Sequence, residues 1–180
     1  MISPEDKEMA EFYALANQWP AIEAIGVANR QGAFLFWNHP MWLAQSPDGI
    51  ARLTPMHETL IRNKMLHGIE IVNEDTFSIE AFQIALENEL TIIGTSDVHD
   101  LIDWDYPIEL IEHRPVTLIF ANKNNQDSVK NALFDRRTVV WFKNTLVGEE
   151  KNLVLLLNSI LSIKSAASVY KVTEIYCSFN

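Results

Sequence analysis

Five short apolar runs, each closing on a polar residue, constrain this chain more than any other feature. They are AFLFWN up to Asn38, IEIVN up to Asn73, LTIIGTSD up to Asp97, VTLIFAN up to Asn122 and TVVWFKN up to Asn144. Each is apolar on both alternating faces, which is how strands buried on both sides read. Helical segments separate them. Pro20 opens AIEAIGVANRQ and Gly32 stops it; Pro55 opens a helix to about Leu66; Ser78 caps SIEAFQIALENE, with Ile79, Phe82 and Ala85 or Leu86 on one face. NQDSVKNALFDRR and EEKNLVLLLNSILSI supply two more, a first helix is expected from Ser3 to about Asn17, and ASVYKVTEIYCSF reads as a last strand. Strand and helix in alternation predict an α/β chain with a mostly parallel sheet or barrel under covering helices.

At 180 residues the chain is one domain or part of a larger one. Its 48 % apolar and 21 % charged residues exclude wholesale disorder. Twenty-four acidic against 14 basic residues leave a net charge of −10. Such a surface repels phosphate backbones, so neither a nucleic acid nor an anionic membrane is an expected partner, whereas a bound metal ion is compatible with it. One cysteine, Cys177, rules out an internal disulfide and a thiolate metal site. MISPEDKEMAEF is too acidic for a signal peptide, and the stretch Leu153–Ile163 is broken by Asn158 and Ser159 and too short to span a bilayer. A cytoplasmic location is the default expectation, with a targeting segment ahead of Met1 left open.

In parallel α/β folds the carboxyl ends of the strands share one rim, and active sites lie on it. Asn122 and Asn144 are read as ordinary loop residues. The first and third runs carry more. Asn38-His39-Pro40 sets an imidazole directly after a strand, and Thr95-Ser96-Asp97-Val98-His99 sets a carboxylate and an imidazole two residues apart after another. In extended geometry residues i and i+2 point the same way, so Asp97 and His99 can approach one ion together. Imidazole and carboxylate ligands suit zinc, manganese or iron.

GAFLFWNHPMW, LHGIEIVN and LTIIGTSDVHDLIDWDY, in that order, resemble the latter half of a polymerase-and-histidinol-phosphatase (PHP) domain, and HRPVTLIFA with ALFDRRTVVWFKNTLVG extends the likeness to stand-alone bacterial PHP proteins. The resemblance implies a partial (β/α) barrel lacking its N-terminal half, with residues 1–148 as the C-terminal part of the barrel and 149–180 as the start of an accessory element. It implies metal-dependent hydrolysis of a small phosphorylated substrate, with His39, Asp97 and His99 as ligands of divalent Zn, Mn or Fe. Asn38, Glu70, Asn73 and Trp42 are candidates for holding a ligand from behind or lining the pocket. The family's opening H-x-H is missing among the five histidines, His39, His57, His67, His99 and His113. The metal cluster is therefore expected to be incomplete, and the isolated chain inactive or impaired. The alternative is a non-catalytic truncated domain that self-associates or binds a partner. A closed α/β barrel of about 250 residues would not fit this length.

The remaining candidates read as structural. His57 and His67 sit at helix ends, Glu70 is either an orienting carboxylate or a buried structural one, and His113-Arg114-Pro115, preceding a strand, is expected at the opposite end from the rim. Asp100, Asp103 and Asp105 crowd the loop after His99; Trp37 is expected to pack in the core, and Trp104 flanks the second motif.

Overall fold

The computed structural model describes residues 21–107, 113–169 and 172–179. The helix expected over Ser3–Asn17 lies outside these residues. Six helices follow: α1 (Ala21–Arg30), α2 (Pro55–Arg62), α3 (Ile79–Glu87), α4 (Ile102–Asp105), α5 (Gln126–Phe134) and α6 (Glu150–Ile160). The strands are β1 (Phe36–Trp37), β2 (Gly68–Asn73), β3 (Thr76–Phe77), β4 (Thr91–Thr95), β5 (Val116–Ile119), β6 (Thr138–Phe142), β7 (Thr145–Gly148), β8 (Leu161–Val169) and β9 (Val172–Phe179).

The local chemistry sets the element boundaries. Thr54 caps α2 by accepting from the His57 N–H, Ser78 caps α3 through the Ala81 N–H and Asn125 caps α5 through the Ser128 N–H, each satisfying a donor the first helical turn leaves orphaned. Gly32 follows α1 at φ 72°, a left-handed stop that costs glycine nothing. α2 ends at Arg62, short of the expected Leu66, because Lys64 turns left-handed at φ 55°.

The fold is mixed α/β, with parallel and antiparallel strands, and this corrects the mostly parallel expectation. β1 and β4 flank β2 in parallel, and β3 turns back antiparallel to β2. β5, β6 and β7 form a second, wholly antiparallel sheet, and β8 and β9 pair antiparallel where one strand was expected. Apolar runs on both faces mark burial, not direction, and the β6–β7 connection, Lys143-Asn144, is a two-residue turn with both φ positive that leaves no room for a crossover helix. AFLFWN shrinks from a buried strand to a two-residue one with Phe36 39 % exposed, because among the described residues β1 pairs on one side only.

The two sheets are joined without a backbone ladder. Thr138 Oγ1 donates to Ile92 O at 2.8 Å, and Thr117 Oγ1 bonds both the Gly94 carbonyl and its N–H. β6 therefore runs alongside β4 in the same sense, and the Lys143 ammonium reaches Asp75 O at 2.8 Å beyond the carboxyl end of β2. A Cβ on Gly94 would fall 2.5 Å from Val140 Cγ1, so glycine is what allows the sheets to approach this closely. Ile69, Ile71, Val72, Ile92 and Val140 form the buried centre, each worth about 1.5–3 kcal/mol of transfer energy. α3 covers it with Ala81 and Ala85, whose small side chains let the helix lie close to β2; Ile79 and Leu86, expected inside, are 49 % and 48 % exposed. At the start of α6, buried Asn152 donates to Arg136 O and Thr138 O and so ties the helix to β6.

Antiparallel pairing redistributes the polar strand ends. Because β5 runs against β6, with Ile119 opposite Thr138, Asn122 falls at the amino end of the parallel strands, away from the other four. For the same reason His113, ahead of β5, lies at the carboxyl end and not at the opposite one. Its Nε2 accepts the Asn144 N–H at 3.3 Å and its ring packs 4.2 Å from Trp141, so its surroundings are structural as expected.

Candidate metal centre

Two left-handed turns aim the candidate ligands. His39 (φ 53°) and Asp97 (φ 48°) leave β1 and β4 in a conformation that Asp, Asn and His adopt more readily than most residues. Lys64, Glu89 and Arg136 share it in ordinary turns, so the conformation does not itself mark a site. Its effect here is geometric. His39 Nε2 lies 3.9 Å and His99 Nε2 3.5 Å from the same Asp97 oxygen, Oδ1. The three side chains predicted from NHP and SDxH thus open onto one mouth, although Asp97 and His99 meet through a turn and not through extended backbone.

Behind His39 stands Glu70, fully buried. Its Oε2 accepts the His39 backbone N–H at 2.6 Å and lies 3.2 Å from His39 Nδ1. Its Oε1 accepts from the Thr95 hydroxyl and, at 3.3 Å, from Asn73 Nδ2. A carboxylate behind the far nitrogen of an imidazole fixes ring orientation and tautomer and leaves Nε2 its lone pair. Asn73 Nδ2 is 3.1 Å from the same Nδ1.

A break in register makes this cluster possible. Glu70 pairs with Ile93 but Val72 with Gly94, so β2 spends two residues where β4 spends one. In a regular strand Glu70 and Asn73, three apart, would face opposite sides; the extra residue brings them to the same side, as bulges beside functional sites do.

His39, Asn73, Asp97 and His99 line a cleft of about 530 Å³ with Met41, Trp42 and Leu43 on one wall and Glu74 and Thr76 on the other. Beside it an acidic hollow of about 420 Å³ is lined by Glu74, Asp75, Ser96, Asp97, Asp100 and Asp105, among others. Tyr106 closes it by donating to Ser96 O, and its phenol is held above its ordinary range by burial and then by the carboxylates of Glu74, Asp105, Asp75 and Asp97. A larger hollow of about 630 Å³, lined by Lys64, His67, Phe134 and Arg136, lies at the amino end of the strands, where none of the candidate ligands reaches.

Of the other expected residues, Trp42 is 58 % exposed over the cleft with its ring 6.2 Å from His39. Asn38 is exposed on the other side of β1, with Phe36 and Met56, and does not reach the cleft. Trp37 stacks on His57 at 3.9 Å, half-buried against the core. His57 completes the α2 cap, and His67 accepts the Leu35 N–H at 3.0 Å among Phe34 and Phe134; burial pushes both imidazoles down. Both read as structural. Trp104, 70 % exposed, and Asp103 line neither hollow. Sequence reasoning missed Thr95, since nothing in a strand-ending threonine signals a bond to a glutamate on the neighbouring strand.

Two imidazole nitrogens and a carboxylate are the right donors for a divalent ion of the zinc, manganese or iron type. Among the described residues no group of three or more His, Cys, Asp and Glu side chains is already arranged to hold one. His99 explains the difference. Its side chain is 83 % exposed, whereas those of His39 and Asp97 are only 25 % and 31 % exposed. The donor set fits such an ion in kind, while the His99 arm stands out in solvent.

The mixed α/β fold that carries these donors has a counterpart among solved structures. A two-domain protein from Bacteroides vulgatus ATCC 8482, described as containing a predicted PHP-like metal-dependent phosphoesterase, superposes with a TM-score of 0.78 and is 38 % identical, over 86 % of this chain and 44 % of that one. The chain resembles a PHP-like protein in structure as well as in sequence, and it spans less than half the length of that relative. No protein-family profile matches the chain, and no curated protein matches it significantly. No helix among the described residues is long and apolar enough to cross a membrane.

Proposed function

We propose that this chain carries part of the metal centre of a phosphoesterase acting on a small phosphorylated substrate, on a partial barrel of PHP type. The convergence of His39 and His99 Nε2 on Asp97 Oδ1, with Glu70 behind His39, is the observation that carries the reading. The similarity to a PHP-like phosphoesterase supports it. His39, Asp97 and His99 would hold a divalent ion, zinc, manganese or iron. When bound, such ions lower the pKa of a coordinated water and neutralise phosphoryl oxygens. The chain's own residues do the rest: Glu70, itself held by the Asn73 amide, fixes the His39 ring, and Met41, Trp42 and Leu43 form one wall of the cleft. Among the described residues no lysine or arginine lines the cleft, so phosphate affinity rests on the metal. Three side chains cannot build a multi-ion clamp, and the isolated chain is expected to bind metal weakly and turn over slowly or not at all.

The test is calorimetric titration with Zn²⁺ or Mn²⁺, followed by p-nitrophenyl phosphate hydrolysis with and without chelator, in wild type and Asp97→Ala. Binding lost in Asp97→Ala, with any turnover abolished by chelation, is the expected result. Turnover indifferent to both changes, or no metal binding by the wild type, would overturn the proposal. The open side of β1 with its exposed Phe36 favours a second reading, a non-catalytic domain that self-associates; a monomer of 20.6 kDa in sedimentation would count against it.

A further inference from the structure

We infer that Thr95 is a positioning residue for His39, acting through Glu70. The inference deepens the proposed function and rests on that reading for its link to metal, but the geometry behind it does not involve an ion. Thr95 ends β4 directly opposite Asn73 on β2. Its hydroxyl donates to Glu70 Oε1 and receives Asn73 Nδ2 at 3.4 Å. The hydroxyl has one proton to give, and here it goes to a carboxylate with no solvent exposure.

A buried carboxylate must find partners for both oxygens or rotate toward whatever donors remain. With Oε1 held by Thr95 and Asn73, Oε2 is directed at the His39 backbone N–H and Nδ1. That fixes the left-handed turn at His39 as well as its ring, so Nε2 faces Asp97. Threonine suits the task because its branched Cβ restricts the hydroxyl to few orientations. Valine keeps the shape and removes the donor; serine keeps the donor.

The experiment compares wild type, Thr95→Val and Thr95→Ser, each ¹⁵N-labelled and free of metal. In the wild type the His39 amide proton is expected far downfield and slow to exchange, and the Thr95 hydroxyl proton is expected to be protected enough to observe. Thr95→Val should move the His39 amide upfield, speed its exchange at least roughly tenfold and alter the long-range imidazole ¹⁵N spectrum of His39, while Thr95→Ser restores the wild-type pattern. Titration with Zn²⁺ should then show affinity lower by about 10–100-fold in Thr95→Val alone. An unchanged His39 amide and ring in Thr95→Val would overturn the inference. Should Thr95→Val fail to fold, a rapidly exchanging Thr95 hydroxyl in the wild type would overturn it equally. A wild-type chain with the expected His39 signature that binds no Zn²⁺ would sink the metal reading and leave the positioning role standing.

Discussion

At the scale of single residues, His67 illustrates how an imidazole near the core differs from one at the rim. Its Nδ1 is occupied by the Leu35 N–H, its ring is packed by Phe34 and Phe134, and burial depresses its pKa. A depressed histidine stabilises the folded chain fully above its unfolded value, near pH 6.5, and the contribution is lost as pH falls through the lower folded value. His57, depressed by burial against Trp37, acts in the same sense. His67→Asn keeps a side-chain acceptor of similar reach and removes the titration. The wild type should therefore lose more stability than His67→Asn between neutral pH and about pH 5. Urea unfolding midpoints of the two across that interval check it, and a constant difference between them would refute the assignment. The same contrast explains what could be read from residues alone. That His39, Asp97 and His99 meet at one rim was legible because donor type and strand-end position suffice to place them together. Thr95 was not, because its role exists only in a contact across two strands.

At the scale of elements, the β4–β6 junction is the most demanding contact. A methyl group on Gly94 would meet Val140 Cγ1 at 2.5 Å and Cγ2 at 3.1 Å. Overpacking of this kind costs about 1–3 kcal/mol, so Gly94→Ala should lower the unfolding free energy by that amount. Combining it with Val140→Ala should recover part of the loss, since residues in contact do not add; strict additivity in a double-mutant cycle would show that the two do not meet. Asn152→Ala would leave the Arg136 and Thr138 carbonyls without its amide, at about 1–3 kcal/mol. That cost should appear in denaturant unfolding, and a change under about 0.5 kcal/mol, the usual effect of a surface substitution, would mean α6 is not held this way. Caps and apolar runs placed most elements because those signals are local. Strand direction escaped the sequence because TVVWFKNTLVG has no glycine at its turn, with Lys143 and Asn144 taking the left-handed positions instead. The register break at Ile71 escaped for the same kind of reason: IEIVN reads as an unbroken strand, and only pairing with β4 reveals the extra residue.

At the scale of the whole molecule, a net charge of −10 and two half-buried donors beside an acidic hollow make metal binding and stability one question. An ion that binds only the folded chain raises stability by RT ln(1 + [L]/Kd), about 2.7 kcal/mol at a hundredfold excess over Kd. Diffuse attraction of cations to acidic surface would also stabilise the chain by relieving self-repulsion, so a rise in melting temperature is not by itself proof of a site. The two effects separate by substitution. His39→Ala leaves the acidic surface intact and removes an imidazole that faces Asp97 Oδ1. Zn²⁺ or Mn²⁺ should therefore raise the melting temperature of the wild type in proportion to the logarithm of its concentration, and chelation should reverse the rise. In His39→Ala the rise should shrink to the small increment that an equal concentration of Mg²⁺ gives the wild type, since Mg²⁺ favours oxygen over imidazole ligands. A shift of the same size in both proteins would assign the effect to diffuse charge and remove the rim histidine from the metal centre.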